Sequence, residues 1–389
     1  MSQSSYPPAP TSVAPPGAGT LTASYLVTRG NVNLGANLTT GRYIVQGFSN
    51  GGGVLTYGDD SPKNSGTSVY LEIVNQPSTS IKTSYGVVSP WTDYSQKAVW
   101  TTRTSNFGTS IVYALAYGNG VYVAGGAGGT IRTSTDGTTW DSRTSGTSTD
   151  IRGITYGNGL FVAVGGAGFG GVVTTSTDAV TWTTRTISFS QSIISVAFGN
   201  NTYVAAGNSG QIQTSTDGIT WTTRTSTFGT SQIWSVTFGN GLFIAVGDTG
   251  QLRSSTDGIT WTTRTSGFGT NQITAAGYGA GLYIAAGLSG TMTTSTDGVT
   301  WTARTSNLAN NAWSVTYGNG LYAVSANSAA LSTSTDGVTW TTRAANVGTS
   351  TIYALTYGNG VYVLGAAGGA IRTLTPFGSP FILNVYSAV

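Results

Sequence analysis

The chain has 389 residues, a formal net charge of +3 and only 7% charged residues, against about 25% in an average globular protein. It has no cysteine and no histidine, which excludes thiol nucleophiles, disulfides, imidazole acid–base chemistry and the usual zinc sites. Its cations are scattered rather than clustered, so nucleic acid is not an expected partner, and 39% apolar residues without charge blocks mark a folding chain.

Residues 1–20 are rich in Pro, Ala, Ser and Thr, as in Tyr6-Pro7-Pro8-Ala9-Pro10 and Ala14-Pro15-Pro16. Such a segment cannot build a core of its own and is expected to act as an anchoring arm. Its start, Met1-Ser2-Gln3-Ser4-Ser5-Tyr6, lacks the basic and apolar regions of a signal peptide. No apolar run reaches spanning length, so membrane insertion is not expected. Residues 21–94 alternate in short runs, among them Arg42-Tyr43-Ile44-Val45-Gln46 and Ser68-Val69-Tyr70-Leu71-Glu72-Ile73-Val74. Gly and Asn turns separate these runs, which predicts a small β-sandwich of about five strands.

Residues 95–375 hold seven copies of one unit, marked by Trp100, Trp140, Trp182, Trp221, Trp261, Trp301 and Trp340 at spacings of 40, 42, 39, 40, 40 and 39. A period of this size signals a stacked or circular repeat. In the unit from Ile233, the segments Ile233–Phe238, Leu242–Val246, Gln251–Ser255 and Ile259–Thr265 read as strands. Turn chemistry at Gly239-Asn240-Gly241, Asp248-Thr249-Gly250 and Asp257-Gly258 separates them. Four short antiparallel strands make one propeller blade.

The order of the pieces points to a closed ring. The first Trp strand, near Val99 to Thr104, precedes any hairpin, and the last three-strand group, Ile352 to Thr373, has no Trp strand after it. Pairing the two completes a seventh blade and limits exposed edges. The expected fold is therefore all-β: a seven-bladed β-propeller closed by an N-terminal fourth strand, plus the small N-terminal β-sandwich. An open solenoid would need polar capping repeats, which the terminal units do not resemble. Residues 376–389 include Pro380-Phe381-Ile382-Leu383-Asn384-Val385-Tyr386. That tail is apolar enough to need burial and is expected to return as a strand beside the N-terminal domain.

The tag of the unit is Ser-Thr-Asp-Gly-x-Thr-Trp, cleanest at 215–221, 255–261, 295–301 and 334–340. Six copies carry the acid, as Asp136, Asp178, Asp217, Asp257, Asp297 and Asp336; the first copy lacks it, and Ala179 follows Asp178 in place of Gly. An Asp or Ser here can accept backbone N–H bonds and shape the turn, while the following Trp packs between sheets. One isolated carboxylate per turn is too few for a calcium cage. No metal and no cofactor is expected.

With these residues in view, the chain resembles the Asp-box β-propellers, which include sialidase-like proteins and photosystem II assembly factors. The likeness covers about 280 residues. Family boxes usually have one more residue between the Asp and the aromatic, so this is a shorter variant. The resemblance implies a propeller in which the boxes are structural.

Two aromatic sets recur. One is Tyr117, Tyr156, Phe198, Phe238, Tyr278, Tyr317 and Tyr357; the other is Tyr122, Phe161, Tyr203, Phe243, Tyr283, Tyr322 and Tyr362. They suit packing between blades with Tyr hydroxyls at the rim, or else a ring of sugar-stacking platforms. Three residues after each Trp stands Arg103, Arg143, Arg185, Arg224, Arg264, Arg304 or Arg343. On an outermost strand such a charge discourages edge pairing. The alternative is a cationic girdle for an acidic glycan or anionic surface.

A glycosidase needs a carboxylate pair, and the sialidase class adds an Arg cluster with a Tyr nucleophile. The acids outside the boxes are few, the Arg-Ile-Pro segment of that family is absent, and the arginines sit at equivalent repeat positions. An enzyme is not expected. A photosystem assembly factor would not be expected to carry an N-terminal sandwich. Near-identical repeats with Tyr-Gly-Asn-Gly-Leu-Tyr and Ser-Thr-Asp-Gly-x-Thr-Trp look like virion proteins of tailed phages. That resemblance implies a fibre, tail or capsid-decoration component on the particle exterior, within a homo- or hetero-oligomeric assembly. The arm and sandwich would bind other virion proteins, and the propeller would make weak repeated contacts with host surface glycans. A non-viral secreted or surface lectin is the alternative, and a sialidase-like glycosidase the next.

Overall fold

In the computed structural model the described residues are 100–166, 168 and 170–374, with the strands Gly41–Gly47, Leu55–Thr56, Pro62–Lys63, Ser68–Ile73, Ile81–Thr83, Gly86–Val87 and Leu383–Ser387. The expected arm at 1–20 lies outside them. Two compact units separate, one formed by residues 99–376 and the other by 1–98 with 377–389.

Each repeat folds as a four-stranded antiparallel meander because its three turns fall at fixed offsets. Blade 4 shows the pattern with Ile233–Gly239, Leu242–Gly247, Leu252–Ser255 and Thr262–Arg264. The first turn takes Asn240 and Gly241 at φ of 45° and 77°, the left-handed pair that a tight hairpin requires. The fourth strand is shorter than the sequence suggests. Asp257 Oδ1 accepts the N–H groups of Ile259 and Thr260 at 2.8 and 2.9 Å, so those residues belong to the turn and their donors are lost to the ladder.

The blades span 112–143, 151–185, 193–224, 233–264, 273–305, 312–344 and, for blade 7, 352–374 with Thr101–Arg103. Blade 7 joins the two ends of the ring: Ile371 pairs with Arg103, Arg372 with Thr102 and Thr373 with Thr101. The fold is an all-β seven-bladed propeller closed by its earliest strand.

Second strands are sandwiched on both faces and read as continuous apolar runs, as in Phe243-Ile244-Ala245-Val246, all at 0% exposure. The core lies between blades. Tyr122 and Trp140 of blade 1 cluster with Val363 and Ile371 of blade 7. The closing junction is thus filled like the junction of blades 1 and 2, where Val123 and Ile131 meet Phe161 and Trp182.

Each first strand ends in a glycine on which the next blade lays an aromatic ring. A Cβ at Gly118 would stand 2.2 Å from Tyr156 Cγ, and one at Gly358 would stand 2.1 Å from Tyr117 Cγ. The same relation holds for Gly157 with Phe198, Gly199 with Phe238, Gly239 with Tyr278, Gly279 with Tyr317 and Gly318 with Tyr357. The circuit of seven contacts is unbroken.

The second aromatic set corrects one expectation. Its Tyr hydroxyls do not reach the rim. Tyr122 donates to the Gly358 carbonyl, Tyr203 to Gly157, Tyr283 to Gly239, Tyr322 to Gly279 and Tyr362 to Gly318. Each is a buried bond to the preceding blade, and Phe161 and Phe243 leave two junctions without it. Desolvation pushes the Tyr203, Tyr283 and Tyr322 phenols up to about 12. An unfolded Tyr ionises near 10. Folding therefore favours the neutral phenol, and this stability is complete below pH ~10 and lost as pH rises through about 12. A spectroscopic base titration is expected to show exposed phenols ionising first, with the buried set appearing only on alkaline unfolding.

In the other unit, Leu383–Ser387 pairs antiparallel with Gly41–Gly47, bringing Val385 opposite Val45. Gly41–Gly47 also pairs with Ser68–Ile73, and Ile81–Thr83 and Gly86–Val87 follow in one five-stranded sheet. Leu55–Thr56 and Pro62–Lys63 form a separate two-stranded ribbon. The rest of the segment expected to form a sandwich lies outside the described residues.

Candidate functional site

The Asp-box carboxylates are consumed by their own turns. In blade 3, Asp217 Oδ1 accepts the N–H groups of Ile219 and Thr220 and the Ser215 hydroxyl, at 2.8, 2.8 and 2.9 Å. Ser215 Oγ in turn accepts the Gly218 N–H at 2.8 Å. Trp221 closes the box by donating Nε1–H to the Gly218 carbonyl at 3.2 Å. Asp136, Asp178, Asp257, Asp297 and Asp336 accept the same backbone pair. Ala179 takes the glycine position at φ 62°. Trp140, Trp182, Trp261, Trp301 and Trp340 make the same indole bond. Trp100, whose box residues precede the described segment, is buried at the ring closure.

Hydrogen bonds from the Thr220 and Ile219 N–H groups hold the Asp217 carboxyl down at about 2, and Asp178 and Asp297 sit at about 2 for the same reason. An unfolded Asp ionises near 3.9. Folding favours the carboxylate, so this stability is present above pH ~4 and is lost as pH falls toward about 2. Asp217→Ala is expected to lower stability by ~1 kcal/mol at neutral pH and to weaken the fall in stability between pH 4 and 2. Urea unfolding at several pH values measures both.

The seven arginines are each anchored to their own blade. Each folds back over its own blade and donates Nε–H to a third-strand hydroxyl. The acceptors are Thr373 for Arg103, Thr133 for Arg143, Thr175 for Arg185, Thr214 for Arg224, Ser254 for Arg264, Thr294 for Arg304 and Thr333 for Arg343, at 2.7–2.9 Å. The groove of about 410 Å³ beside Arg143 and Trp182 is electrostatically balanced, because Arg143 is paired with Asp141 at 3.1 Å.

Sevenfold symmetry breaks in the chemistry of the first strands. The ladder between first and second strands slips after the first residue of every blade, so one residue per blade is extruded as a β-bulge. Bulges re-aim a side chain and are over-represented next to functional sites. The extruded residues are Tyr113, Arg152, Ile194, Trp234, Thr274, Trp313 and Tyr353. This position carries five residue types, aromatic in four of the seven blades.

Four of these side chains meet near the axis. Tyr113 and Tyr353 meet edge to face at 5.4 Å, Tyr353 and Trp313 at 5.5 Å, and Trp313 and Trp234 at 5.9 Å. Arg152 lies over the Tyr113 ring at 4.9 Å and pairs with Asp150 at 2.9 Å. The indoles are held by their N–H groups, Trp234 donating to Asp248 Oδ1 at 2.8 Å and Trp313 to Asn327 Oδ1 at 2.5 Å. The contacts run across blades 2, 1, 7, 6 and 4, passing over Thr274 of blade 5. All five side chains are half-buried, unlike the enclosed Tyr122 and Tyr203. Sequence reasoning centred on the repeated tryptophans missed this cluster. The available signal was the pair of tryptophans inside the repeats that fall outside the seven-membered series, Trp234 and Trp313.

On the opposite side of the blades, the box turns expose Val180, Ile219, Ile259, Val299 and Val338 by 42–49%. Thr138 takes this place in blade 1.

The family described as the DUF6242 beta propeller domain matches residues 195–312, from blade 3 to the start of blade 6. No curated protein matches the chain. Among solved structures, YCF48 from Cyanidioschyzon merolae is similar at a TM-score of 0.58 and 17% identity, over 72% of this chain and all of that one. A YCF48 bound to D1 peptide matches at 0.59 and 15%, over 71% of this chain and 95% of that one. A catalytically inactive virginiamycin B lyase from Staphylococcus aureus, with quinupristin, matches at 0.64 and 9%, over 72% of this chain and 99% of that one. At such identities the likeness is one of fold alone.

Proposed function

We propose that this protein is a non-enzymatic attachment module on the exterior of a viral particle, a fibre, tail or capsid-decoration component. In this reading its propeller faces host surface glycans, and the first 94 residues join it to other virion proteins within an oligomeric assembly. One observation carries the binding role over a catalytic one. The Asp-box carboxylates and the Nε–H groups of the repeat arginines are engaged inside their own blades, while the bulge position presents aromatic surface in four blades.

Among the described residues, the carboxylates outside the boxes point the same way. Asp141 and Asp150 face arginines, and Asp248 accepts an indole N–H. The particle setting rests on the resemblance of the repeats to tailed-phage proteins and on a surface poor in charge. A ring that repeats one neutral surface seven times suits weak contacts whose avidity comes from number.

Mass spectrometry of purified particles tests the setting, and binding of the full-length chain to host cells before and after glycan removal tests the attachment. Recovery from particles with glycan-dependent cell binding is the expected result. Glycan-dependent binding by a chain absent from every particle would move the reading to a non-viral lectin. Release of reducing sugar by the chain would overturn the non-enzymatic reading.

A further inference from the structure

We infer that the axial aromatic cluster is a binding site for one neutral saccharide per propeller, distinct from any sevenfold surface contact. This deepens the attachment reading and rests on it. The position is built for display, because a β-bulge in every blade turns one residue out of the ladder. Aromatics occupy it in blades 1, 4, 6 and 7 only, so the site has no sevenfold symmetry and offers one ligand one orientation.

The chemistry selects the ligand class. Trp234 and Trp313 have their only polar atoms engaged by Asp248 and Asn327, which orients both rings and leaves their flat surfaces for packing. A sugar ring offers a matching apolar C–H face bordered by hydroxyl donors. The oxygens of Asp150 and Asp248 each accept one protein bond already, from Gly128 N–H, Arg152, Gln232 N–H and Trp234, and each keeps a second lone pair for a sugar hydroxyl. Charge disfavours an acidic sugar, because Asp150 already neutralises Arg152 and Asp248 adds a negative charge. A cluster serving only to plug the axis would be enclosed like Tyr122 and Tyr203, yet these rings are only partly buried.

Calorimetry of the full-length chain with maltotetraose, chitotetraose and galactotetraose tests this, with sialyllactose and a Tyr-Pro-Pro-Ala-Pro peptide as comparisons. At least one neutral sugar is expected to bind at one equivalent per chain. Trp313→Thr places in blade 6 the residue type that blade 5 tolerates at Thr274 and is expected to weaken that binding at least about tenfold. An unchanged melting temperature would show that the ring survives. Ile219→Thr and Val299→Thr, on the box turns, are expected to leave affinity unchanged. Several equivalents per chain, indifference to both Trp313→Thr and Trp234→Thr, or binding of only sialyllactose or the peptide would overturn the site. So would binding of none of the three neutral sugars. If glycan-dependent cell binding persists in Trp313→Thr, the axial site fails and the attachment reading stands; if wild-type protein binds no cells, that reading fails too.

Discussion

Trp100→Ala is expected to lower the stability of the propeller by about 3–5 kcal/mol, the range for emptying a buried indole site. Trp100 is 3% exposed and leads directly into Thr101–Arg103, the strand that completes blade 7. Its carbonyl accepts Asn346 Nδ2–H at 3.3 Å, and the next bond along, Arg103 to Thr373, joins residues 270 positions apart. Closing a loop of that length costs on the order of 5 kcal/mol in chain entropy, so the local packing at Trp100 decides whether the ring stays shut. Trp140→Ala removes an equally buried indole from blade 1, whose four strands are continuous in sequence. Both variants should lose comparable stability in denaturant unfolding. Only Trp100→Ala should also accelerate amide exchange in Ile371–Leu374, the strand that loses its partner. Equal exchange in both variants would argue against a ring held by this junction.

Gly318→Ala is expected to cost about 3 kcal/mol, at the upper end of overpacking penalties. Its Cβ would stand 2.0 Å from Tyr357 Cγ and 2.2 Å from Cδ1. Tyr357 cannot swing away freely, because its ring lies 4.7 Å from that of Tyr362, which is bonded to the Gly318 carbonyl. Relief requires the two blades to part. Gly320→Ala provides the contrast, since its Cβ would meet nothing within 4 Å but φ is +75°. There the cost is backbone strain alone, about 1 kcal/mol. Thermal or denaturant unfolding of the pair separates a glycine needed for close approach from one needed for its conformation. A Gly318→Ala variant as stable as Gly320→Ala would mean that the blades are less tightly stacked than the structure shows.

Much of the architecture was readable from residue order. The regular indole spacing, the turn residues and the leading unpaired Trp strand together required a closed ring of seven. The structural use of Asp217 and its equivalents was also legible, because a short acid two and three residues ahead of free N–H groups is a local arrangement. Arg224 was not. Its partner Thr214 is ten residues away on the adjacent strand, and face alternation alone does not say that a guanidinium will bond that neighbour. The Tyr203 hydroxyl was misplaced for a similar reason, since its acceptor is a carbonyl of the preceding blade, 46 residues away.

The candidate site marks the boundary most clearly. Trp234 and Trp313 stand out in the chain as tryptophans beyond the repeat series, but 79 residues and a whole blade separate them in sequence. Each side chain is re-aimed by a one-residue slip in its ladder, and only curling seven sheets around a common axis brings the two rings to 5.9 Å. What the sequence determined on its own was everything set by nearest neighbours along the chain: turns, strand alternation, box hydrogen bonds and the number of blades. What tertiary structure decided was which face each ring covers and which variable residues share the axis. Those follow from sheet register and ring closure, which sum small local geometries over the whole circuit and leave no mark at any single residue.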